Sequence, residues 1–597
     1  MSAKRANIEQ EDSVVGQVFD ARLLKRLISY MQPVKYYVVL AVALLFLTTA
    51  VELSSPLVIK YGVDHNLTTG ELDGLGTVVF VLIGVLILGF WLRYLQMYLT
   101  QWIGQKVILS MRIKLFDHLQ RLDLKFIDSR PLGWLMTRVT GDIGTLQEML
   151  STGLVQVFGD LFTLVGIMIV LLVLNWKLAL VTFVVLPLIF WVVFAFRLKV
   201  RVTFRVIREA LAQVNGFMQE HITGIRTVQL FVRENATLKR FHILNVNYRN
   251  AYIQAIRYYA LFFPAITFLS SLAIALILLV GGNMINANVL TWGALVAFLQ
   301  YSERFFRPIR DLSDKYNTMQ AAMAAAERVF WLFDTESNIS EIDLPKALKS
   351  SKGKIEFRSV SFEYNSGEQV LRNVSFNVEP GQTVAIVGAT GAGKSTMLNL
   401  LLRFWDTKSG DITLDGVDIR NIGIKDLRRQ FGLVQQDVFL FSGTIAENVT
   451  LGNPEYQGER LETALQQANA MSVITSASDG LNSTVGERGA KLSGGQKQLL
   501  AISRALITDP SILLLDEATA TVDTETERRI QVGLERLMTG RTTLVVAHRL
   551  STIRNADKIV VLHKGEIREV GKHSELIELN GIYARLHSLQ FANGVTA

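Results

Sequence analysis

The sequence predicts a two-domain membrane protein, in which a helical domain with six spans precedes an α/β domain built around a phosphate-binding loop. The first half of the chain contains six apolar blocks, each near the length that crosses a bilayer. The second half contains a glycine-rich loop between an apolar strand pattern and a helix pattern. Half of the 597 residues are hydrophobic and the mean hydropathy is positive, as membrane proteins have.

The composition excludes several classes of function. The chain has no cysteine, which rules out disulfides, thiol catalysis and cysteine-based metal sites. The formal net charge is +8, a value that also suits a nucleic-acid partner. Membrane topology explains most of this excess, so we expect no nucleic acid among the partners. Residues 1–18 are polar and lack the apolar core of a cleaved signal, so they are predicted to form a disordered tail.

The transmembrane domain is predicted over residues 19–333. It begins with an amphipathic interfacial helix at 19–31, with leucines on one side and basic residues on the other. Seven basic residues lie in 105–150 and eleven in 197–260, so the positive-inside rule places both segments and both termini in the cytoplasm. A tight turn is predicted at 175–177. The six predicted spans are 36–56, 76–99, 154–174, 178–196, 262–282 and 289–310.

Helical periodicity continues well beyond the spans, through 97–150 and 197–260. We therefore expect helices that extend some tens of ångströms into the cytoplasm. Their tips are predicted near 128–133 and 224–228. We expect these tips to contact a cytoplasmic domain, through the candidate coupling residues Asp128, Arg130, Gly224 and Arg226.

Charged residues inside the spans are candidates for a substrate cavity. Glu52 is predicted in the outer part of the first span and Arg93 in the latter half of the second. Glu303, Arg304 and Arg307 lie along the sixth span, which is predicted to continue as a cytoplasmic helix. The alternative is that these side chains pair between helices or reach towards the interface. The sequence leaves both interpretations open for Arg93, Glu303 and Arg307.

A polar linker at 334–353 leads to the second domain, predicted over 354–590, and residues 591–597 form a short tail. In this domain the apolar run Thr383–Val387 predicts a buried strand, and a helix is predicted from Met397. Between them lies a phosphate-binding loop, whose backbone N–H groups and helix N-terminus favour phosphate oxygens. Lys394 is placed to reach the β- and γ-phosphates and Ser395 to bind Mg²⁺. The predicted ATP-binding residues here are Gly388, Thr390, Gly391, Gly393, Lys394, Ser395 and Thr396.

Two further motifs are also typical of nucleotide binding and hydrolysis. Four apolar residues end in Asp516 and Glu517, which places carboxylates at the carboxyl end of a buried strand. Asp516 is predicted to hold Mg²⁺, and Glu517 to polarise the attacking water as a general base. Ser493 to Gly495 open a predicted helix and form a second anion-binding site. One domain needs only one γ-phosphate site, so two copies meeting head-to-tail would use both.

These motifs in combination resemble those of ABC transporters, and the chain is similar to an exporter-type half-transporter from the interfacial helix to about residue 590. The resemblance implies an ATPase domain with an antiparallel β subdomain and a helical signature subdomain. It implies that Tyr364 stacks on adenine and that Gln436 senses Mg²⁺ and contributes to its site. It also implies that Asp523 ends the D-loop and that His548 contacts the γ-phosphate.

The resemblance also implies that the remaining motifs form contacts with the partner subunit or with the coupling helices. Leu492–Gln496 matches the signature motif, which closes on ATP held by the partner. The loop 484–489 matches the exporter-type loop that contacts the coupling helices, with Glu487 as its candidate residue. The signature residues are Ser493, Gly494, Gly495 and Gln496.

The function implied is ATP-driven export or flipping of a hydrophobic or amphipathic substrate, a drug or a lipid, in a bacterial inner membrane. The working unit would be a dimer with twelve spans, either a homodimer or a heterodimer with a second half-transporter. An exporter-like importer and an ATP-gated channel remain as alternatives. A soluble or DNA-repair ATPase would lack the six spans that this chain has.

Overall fold

The structure is a computed structural model that describes residues 20–68, 70, 74–339, 345–348, 350–365, 367–516, 524–546 and 553–591. The predicted tails 1–18 and 592–597 lie outside these residues, and residue 591 ends the last helix. The chain forms two compact units. The helical unit comprises Met1–Gln120 and Pro131–Thr335, and the sheet unit comprises Arg121–Arg130 and Glu336–Ala597.

The helical unit confirms the predicted class of fold, with long helices that run on past the apolar blocks. The longest helix has 53 residues, about 80 Å at 1.5 Å per residue, which is well over twice the thickness of a bilayer core. The helices of this unit are α1 (Ala21–Ser29), α2 (Lys35–Gly62), α3 (Leu75–Arg121), α5 (Leu132–Thr137), α6 (Ile143–Glu148), α7 (Leu154–Phe183), α8 (Leu186–Thr223), α9 (Ile225–Leu230), α10 (Glu234–Asn286) and α11 (Trp292–Asp334). A short helix of the sheet unit, α4 (Leu124–Asp128), falls between α3 and α5 along the chain.

Four segments of the described chain are long and apolar enough to cross a membrane. They are Gln32–Leu67, Leu75–Arg121, Val157–Phe183 and Glu234–Asn286. The other two predicted spans, 178–196 and 289–310, lie on the α7–α8 segment and on α11. The first of these segments is longer than the predicted span 36–56 and continues to Leu67, and Glu52 lies in the second half of α2.

The predicted turn at 175–177 coincides with a break inside α7. Asn175 has an extended backbone, with φ −165° and ψ 108°. Its side-chain oxygen accepts a hydrogen bond of 3.1 Å from the N–H of Leu178, as an N-cap residue does. One asparagine therefore ends one helical segment and begins the next.

The interfacial helix α1 is held to the end of α11 within the helical unit. Leu27 is fully buried, and Tyr30 packs beside the rings of Phe330 and Phe333. The Arg26 guanidinium donates two hydrogen bonds of 2.6 Å to the Asp334 carboxylate. These hydrogen bonds lower the pKa of Asp334, so the pair stays ionised well below neutral pH. The Arg26 guanidinium also lies 4.4 Å from the centroid of the Phe330 ring, so polar and aromatic contacts hold α1 to α11 together.

The sheet unit contains two sheets. A four-stranded antiparallel sheet has the order β2-β1-β4-β5, and a six-stranded sheet has the order β10-β9-β3-β8-β7-β6. In the larger sheet, β6, β7, β8, β3 and β9 are parallel, and β10 is antiparallel to β9. The strands are β1 (Ile355–Glu363), β2 (Gln369–Val378), β3 (Thr383–Val387), β4 (Ser409–Leu414), β5 (Val417–Asp418), β6 (Phe431–Val434), β7 (Ile512–Asp516), β8 (Thr542–Val546), β9 (Lys558–His563) and β10 (Glu566–Gly571).

The parallel strands are buried on both faces, which explains their unbroken apolar sequences. Val384 and Ile386 of β3 pack in the cluster that contains the antiparallel sheet. Ala385 and Val387 point to the opposite side and pack with the helical region. The remaining helices are α12 (Lys394–Leu401), α13 (Ile424–Arg429), α14 (Ile445–Thr450), α15 (Glu459–Gln467), α16 (Met471–Thr475), α17 (Gly494–Ile507), α18 (Thr524–Met538), α19 (His573–Glu578) and α20 (Ile582–Phe591).

A histidine joins the last two helices. Nδ1 of His573 lies 2.7 Å from the Tyr583 hydroxyl, and the ring of His587 is 5.5 Å from that of His573. Burial, together with the positive charges of His587 and Arg554, lowers the pKa of His573. Burial also raises the pKa of Tyr583 to about 12, so its hydroxyl remains a donor that needs a neutral imidazole as acceptor.

Because His573 must be neutral to accept this hydrogen bond, we predict that the packing of α19 against α20 becomes less stable in mild acid. Because the folded pKa of His573 is below its unfolded value of about 6.5, its stabilising contribution is complete above that pH and is lost as the pH falls. Hydrogen exchange of residues 573–591 in the full chain, corrected for the intrinsic pH effect, should accelerate between about pH 7 and 5. Tyr583→Phe should exchange faster already at neutral pH and show a smaller pH effect. Equal pH effects in both proteins would contradict this assignment.

Candidate nucleotide-binding site

The candidate site lies where two parallel strands end, because the loops after such strands emerge at one edge of the sheet. The loop 388–393 follows β3, and Asp516 is the last residue of β7, with β8 between them. The Ser395 hydroxyl, in the first turn of α12, donates to Oδ1 of Asp516 at 3.3 Å. The sheet therefore brings together the two predicted Mg²⁺ ligands, which are 121 residues apart in the chain.

The loop wraps around Lys394. This side chain is buried, and its ammonium donates to the carbonyl oxygens of Gly388 at 2.7 Å and Ala389 at 3.1 Å. Gly391 and Gly393 have φ values of +80° and +104°, a region that side chains with a Cβ rarely adopt. Gly393 is the N-cap of α12, so the helix N-terminus opens directly onto the loop. Thr390 is exposed in the same loop, and Thr396 is buried in the helix.

Tyr364, the predicted adenine platform, is fixed by an aromatic cluster. Its hydroxyl is 3.1 Å from Oγ1 of Thr396. Its ring lies nearly perpendicular to those of Trp405 and Phe362, at centroid distances of 4.9 and 4.8 Å. Sequence reasoning missed Trp405, because no motif includes it and only the fold places it beside Tyr364.

The signature residues begin α17 with a capping box. The Ser493 hydroxyl accepts from the N–H of Gln496 at 3.3 Å, and Oε1 of Gln496 accepts from the N–H of Ser493 at 2.9 Å. Ser493 and Gly494 are both exposed, where the N–H groups of the first turn point outward. Gly495 is buried. The arrangement provides a rigid helix start that is able to receive an anion.

α17 is also tied to the segment that carries Gln436. The side-chain amide of Gln498 donates to the carbonyl of Gln435 at 3.4 Å, and Gln436 itself is exposed. Arg504 donates to the carbonyls of Asn448 at 2.9 Å and Phe439 at 3.2 Å. Burial lowers the pKa of Arg504. Sequence reasoning missed Arg504, whose apolar neighbours on α17 give no signal for a polar contact.

The candidate coupling residues lie at helix tips in both units. Asp128 ends α4 in the sheet unit, and the Arg130 guanidinium lies 4.1 Å from the ring centroid of Phe126. One oxygen of Asp123 caps α4 and the other accepts two hydrogen bonds of 2.7 Å from Asn338. Gly224 and Arg226 lie at the start of α9 in the helical unit. Glu487 is exposed on a short turn of the sheet unit.

The candidate cavity residues differ in their surroundings. The Arg93 guanidinium donates to Oε1 of Glu52 at 2.9 Å. Of the two interpretations of Arg93, the structure therefore shows the ion pair between helices. Glu303 is exposed on α11, and the Arg307 side chain lies outside the described part of the structure. Three predicted site residues also lie outside the described residues: Glu517, Asp523 and His548.

Comparison with known proteins agrees with this architecture. The family model for the ABC transporter transmembrane region matches residues 38–309, and the ABC transporter model matches residues 371–520. YknV of Bacillus subtilis, named as an uncharacterised ABC transporter ATP-binding protein, is 36% identical over 588 residues, covering 98% of this chain and 97% of YknV. YgaD of the same organism is 36% identical over 580 residues, covering 96% of this chain and all of YgaD, and its name describes a multidrug export ATP-binding/permease protein.

A solved structure extends the match to three dimensions. It is a bacterial Atm1-family ABC exporter with ATP bound, 29% identical, with a TM-score of 0.77 over 94% of this chain and 99% of that chain. The chain therefore belongs to the ABC transporter family, as a fused half-transporter of the exporter type. It is a membrane protein that uses ATP, and it hydrolyses ATP in coupling to transport.

The loop geometry predicts that two of its glycines respond differently to alanine. A Cβ at Gly388 would lie 2.2 Å from the backbone oxygen of Leu562 on the adjacent strand, which cannot move without breaking the sheet. A Cβ at Gly391 would meet nothing within 4 Å, although its φ of +80° is strained. We expect Gly388→Ala to weaken binding of a fluorescent ATP analogue at least about fivefold and Gly391→Ala to weaken it less, since overpacking costs about 1–3 kcal/mol. Equal affinities for the two variants would contradict the packing argument.

Proposed function

We propose that the chain exports or flips a hydrophobic or amphipathic substrate, a drug or a lipid, by ATP-dependent closure of paired nucleotide-binding domains. One observation carries the proposal: a single domain presents two separate phosphate-binding features. The loop around Lys394 with Ser395 and Asp516 forms one, and the capped start of α17 at Ser493 forms the other. Two copies in head-to-tail contact would complete two ATP sites, each shared between subunits.

Mg²⁺ suits the oxygen donors at the first feature. The Ser395 hydroxyl and the Asp516 carboxylate already lie 3.3 Å apart, and Gln436 would add an amide oxygen. The ion would neutralise phosphate charge when bound. Lys394 would exchange its bonds with the loop carbonyls for bonds to the β- and γ-phosphates, and the α12 N-terminus would add partial positive charge.

The remaining roles rest on the family resemblance. Tyr364 would support the adenine ring, held in place by Trp405. Glu517 would take the proton of the attacking water, and His548 would contact the γ-phosphate. Gly494, Gly495 and Gln496 would close with Ser493 on the partner's ATP, near Asp523.

Transport would follow from switching between two arrangements of the helices. The tips with Asp128, Arg130, Gly224 and Arg226, together with Glu487, would carry movement of the nucleotide-binding domains to the spans. We propose six spans per chain, both termini in the cytoplasm and a bacterial inner membrane, as the distribution of basic residues and the bacterial relatives support. The partner would be a second copy or a related half-transporter.

The substrate proposal has two supports. Relatives such as YgaD carry names that describe multidrug export. Glu303 is charged and exposed on a span, where an amphipathic ligand with a polar group would meet it. Arg93 is already paired with Glu52, so it would contribute only if a ligand opened that pair. Arg307 is a further candidate on the same helix.

Glu517→Gln tests the paired mechanism. We expect ATP turnover to fall at least about 100-fold, because general-base catalysis contributes about 10²–10⁴-fold, while ATP binding persists. The variant should accumulate as an ATP-bound closed dimer, measured by retention of labelled nucleotide. In the double variant with Lys394→Ala the labelled nucleotide should no longer be retained, because Lys394 contributes to ATP binding. Hydrolysis at the wild-type rate in Glu517→Gln would show that another group is the base.

Reconstitution in oriented vesicles tests the direction of transport. With ATP supplied on the side of the nucleotide-binding domain, a fluorescent amphipathic drug or a labelled lipid should move to the opposite face. The Glu517→Gln protein serves as the matched control and should show no movement beyond a single turnover. Movement in the reverse direction would indicate an importer, and passive conductance with ATP bound would indicate a channel.

A further inference from the structure

A proline interrupts α2 within its apolar membrane segment. Pro56 has no N–H, so the carbonyl four residues earlier, that of Glu52, lacks its helical donor. Glu52 lies 17 residues after the start of α2, about 26 Å along the helix, within a hydrocarbon core of about 30 Å. A carbonyl without a donor at this depth is costly, because no water replaces the lost hydrogen bond.

α11 supplies the missing donor. The Arg304 guanidinium donates to the backbone oxygen of Glu52 at 2.5 Å. One turn away on the same face, the Tyr301 hydroxyl donates to the backbone oxygen of Leu53. Tyr301 is fully buried, so this contact is also packed tightly. Two side chains of α11 therefore hold two successive carbonyls at the interruption in α2.

The helix that provides these donors is itself interrupted nearby. Pro308 lies inside α11, and the carbonyl that it leaves without a helical donor is that of Arg304. The weak points of the two helices thus meet at the pair Glu52–Arg304. The Glu52 carboxylate turns the other way and pairs with Arg93 of α3. Three helices are joined at one residue of α2, through its backbone to α11 and through its side chain to α3.

The two arginines at this junction differ in what they contact. The partner of Arg93 is a carboxylate, whereas the contact described for Arg304 is a backbone carbonyl made available by Pro56. Arg304 therefore acts on the shape of α2. A side chain that caps a proline-interrupted helix fixes the bend of that helix relative to the helix it comes from.

We propose that Arg304, supported by Tyr301, is a positioning residue that makes α2 follow α11 during transport. α11 is continuous from Trp292 to Asp334, two residues before the sheet unit begins at Glu336. Movement that enters α11 at its cytoplasmic end would reach α2 at Glu52 and Leu53, and the outer part of α2 would move with it. This inference rests on the proposed alternating access of the spans.

A double-mutant cycle with Pro56→Ala tests the inference. This substitution restores the N–H that the Glu52 carbonyl lacks, so the need for Arg304 should disappear. We expect Arg304→Met to lower the amount transported per ATP hydrolysed by about threefold to tenfold, the range of hydrogen bonds between membrane helices. In the Pro56→Ala background the same change should alter coupling less than about twofold. Arg304→Lys, which keeps a donor, should retain most of the coupling.

Arg93→Met is the matched control. It removes a guanidinium from the same junction but leaves the Glu52 carbonyl and its donor in place. Pro56→Ala should therefore not correct its effect. If Pro56→Ala fails to rescue Arg304→Met, or rescues both arginine variants equally, the positioning role is wrong.

A measurement that needs no transport separates this inference from the proposed function. The chain has no cysteine, so spin labels can be placed by Leu67→Cys, at the end of the Gln32–Leu67 segment that contains α2, and by Trp292→Cys, at the start of α11, where both native side chains are exposed. With unlabelled chain in excess, the distance between them should be narrowly distributed with and without ATP. Arg304→Met should broaden it, and Pro56→Ala should narrow it again. An unchanged distribution in Arg304→Met would overturn the inference even if transport is observed, and absence of transport in the wild type would overturn only the proposed function.

Discussion

The nucleotide-binding site depends on the burial of the parallel sheet on both faces. Side chains of β3 alternate between two apolar clusters, so no polar group along the strand is available for chemistry. Function is confined to the ends of the strands, where the loop after β3 and the carboxylate after β7 meet. The contact between Ser395 and Asp516 exists because β8 holds these two strands at a fixed spacing. The same sheet thus provides both the stability of the domain and the position of its ligands.

In the helical unit the corresponding constraint is that backbone polar groups need partners inside the membrane. Most are satisfied along each helix, and Pro56 creates an exception in α2. The carbonyl released by Pro56 is taken by Arg304, which links two helices that are far apart in the chain. At the outer end of α2, Asp64 similarly accepts from the N–H of Gly293, where α11 begins. In these two places, an interrupted helix and a helix start provide contacts that join spans.

Local patterns predicted a large part of this architecture. The strand Thr383–Val387 has the predicted bounds, and the long helical extensions follow from the periodicity of 97–150 and 197–260. Both features are set by residues that are close in the sequence, and the spacing of apolar residues indicates them directly. The first predicted span ended at residue 56, because hydropathy falls at polar residues while the hydrogen-bonded helix continues through them. Trp405 and Arg504 were missed because their partners lie elsewhere in the fold.

The sequence by itself determined the family, the two-domain order and the motifs that carry nucleotide chemistry. These features are encoded by residue type and spacing within short segments, so they can be recognised without knowing the fold. The sequence motifs already predicted that Ser395 and Asp516 share a site, but only the tertiary structure placed Tyr364 beside Trp405 and Arg304 at the carbonyl of Glu52. The physical reason is that a hydrogen bond or ring contact depends on positions within a few ångströms, which sheet order and helix packing set and sequence separation does not.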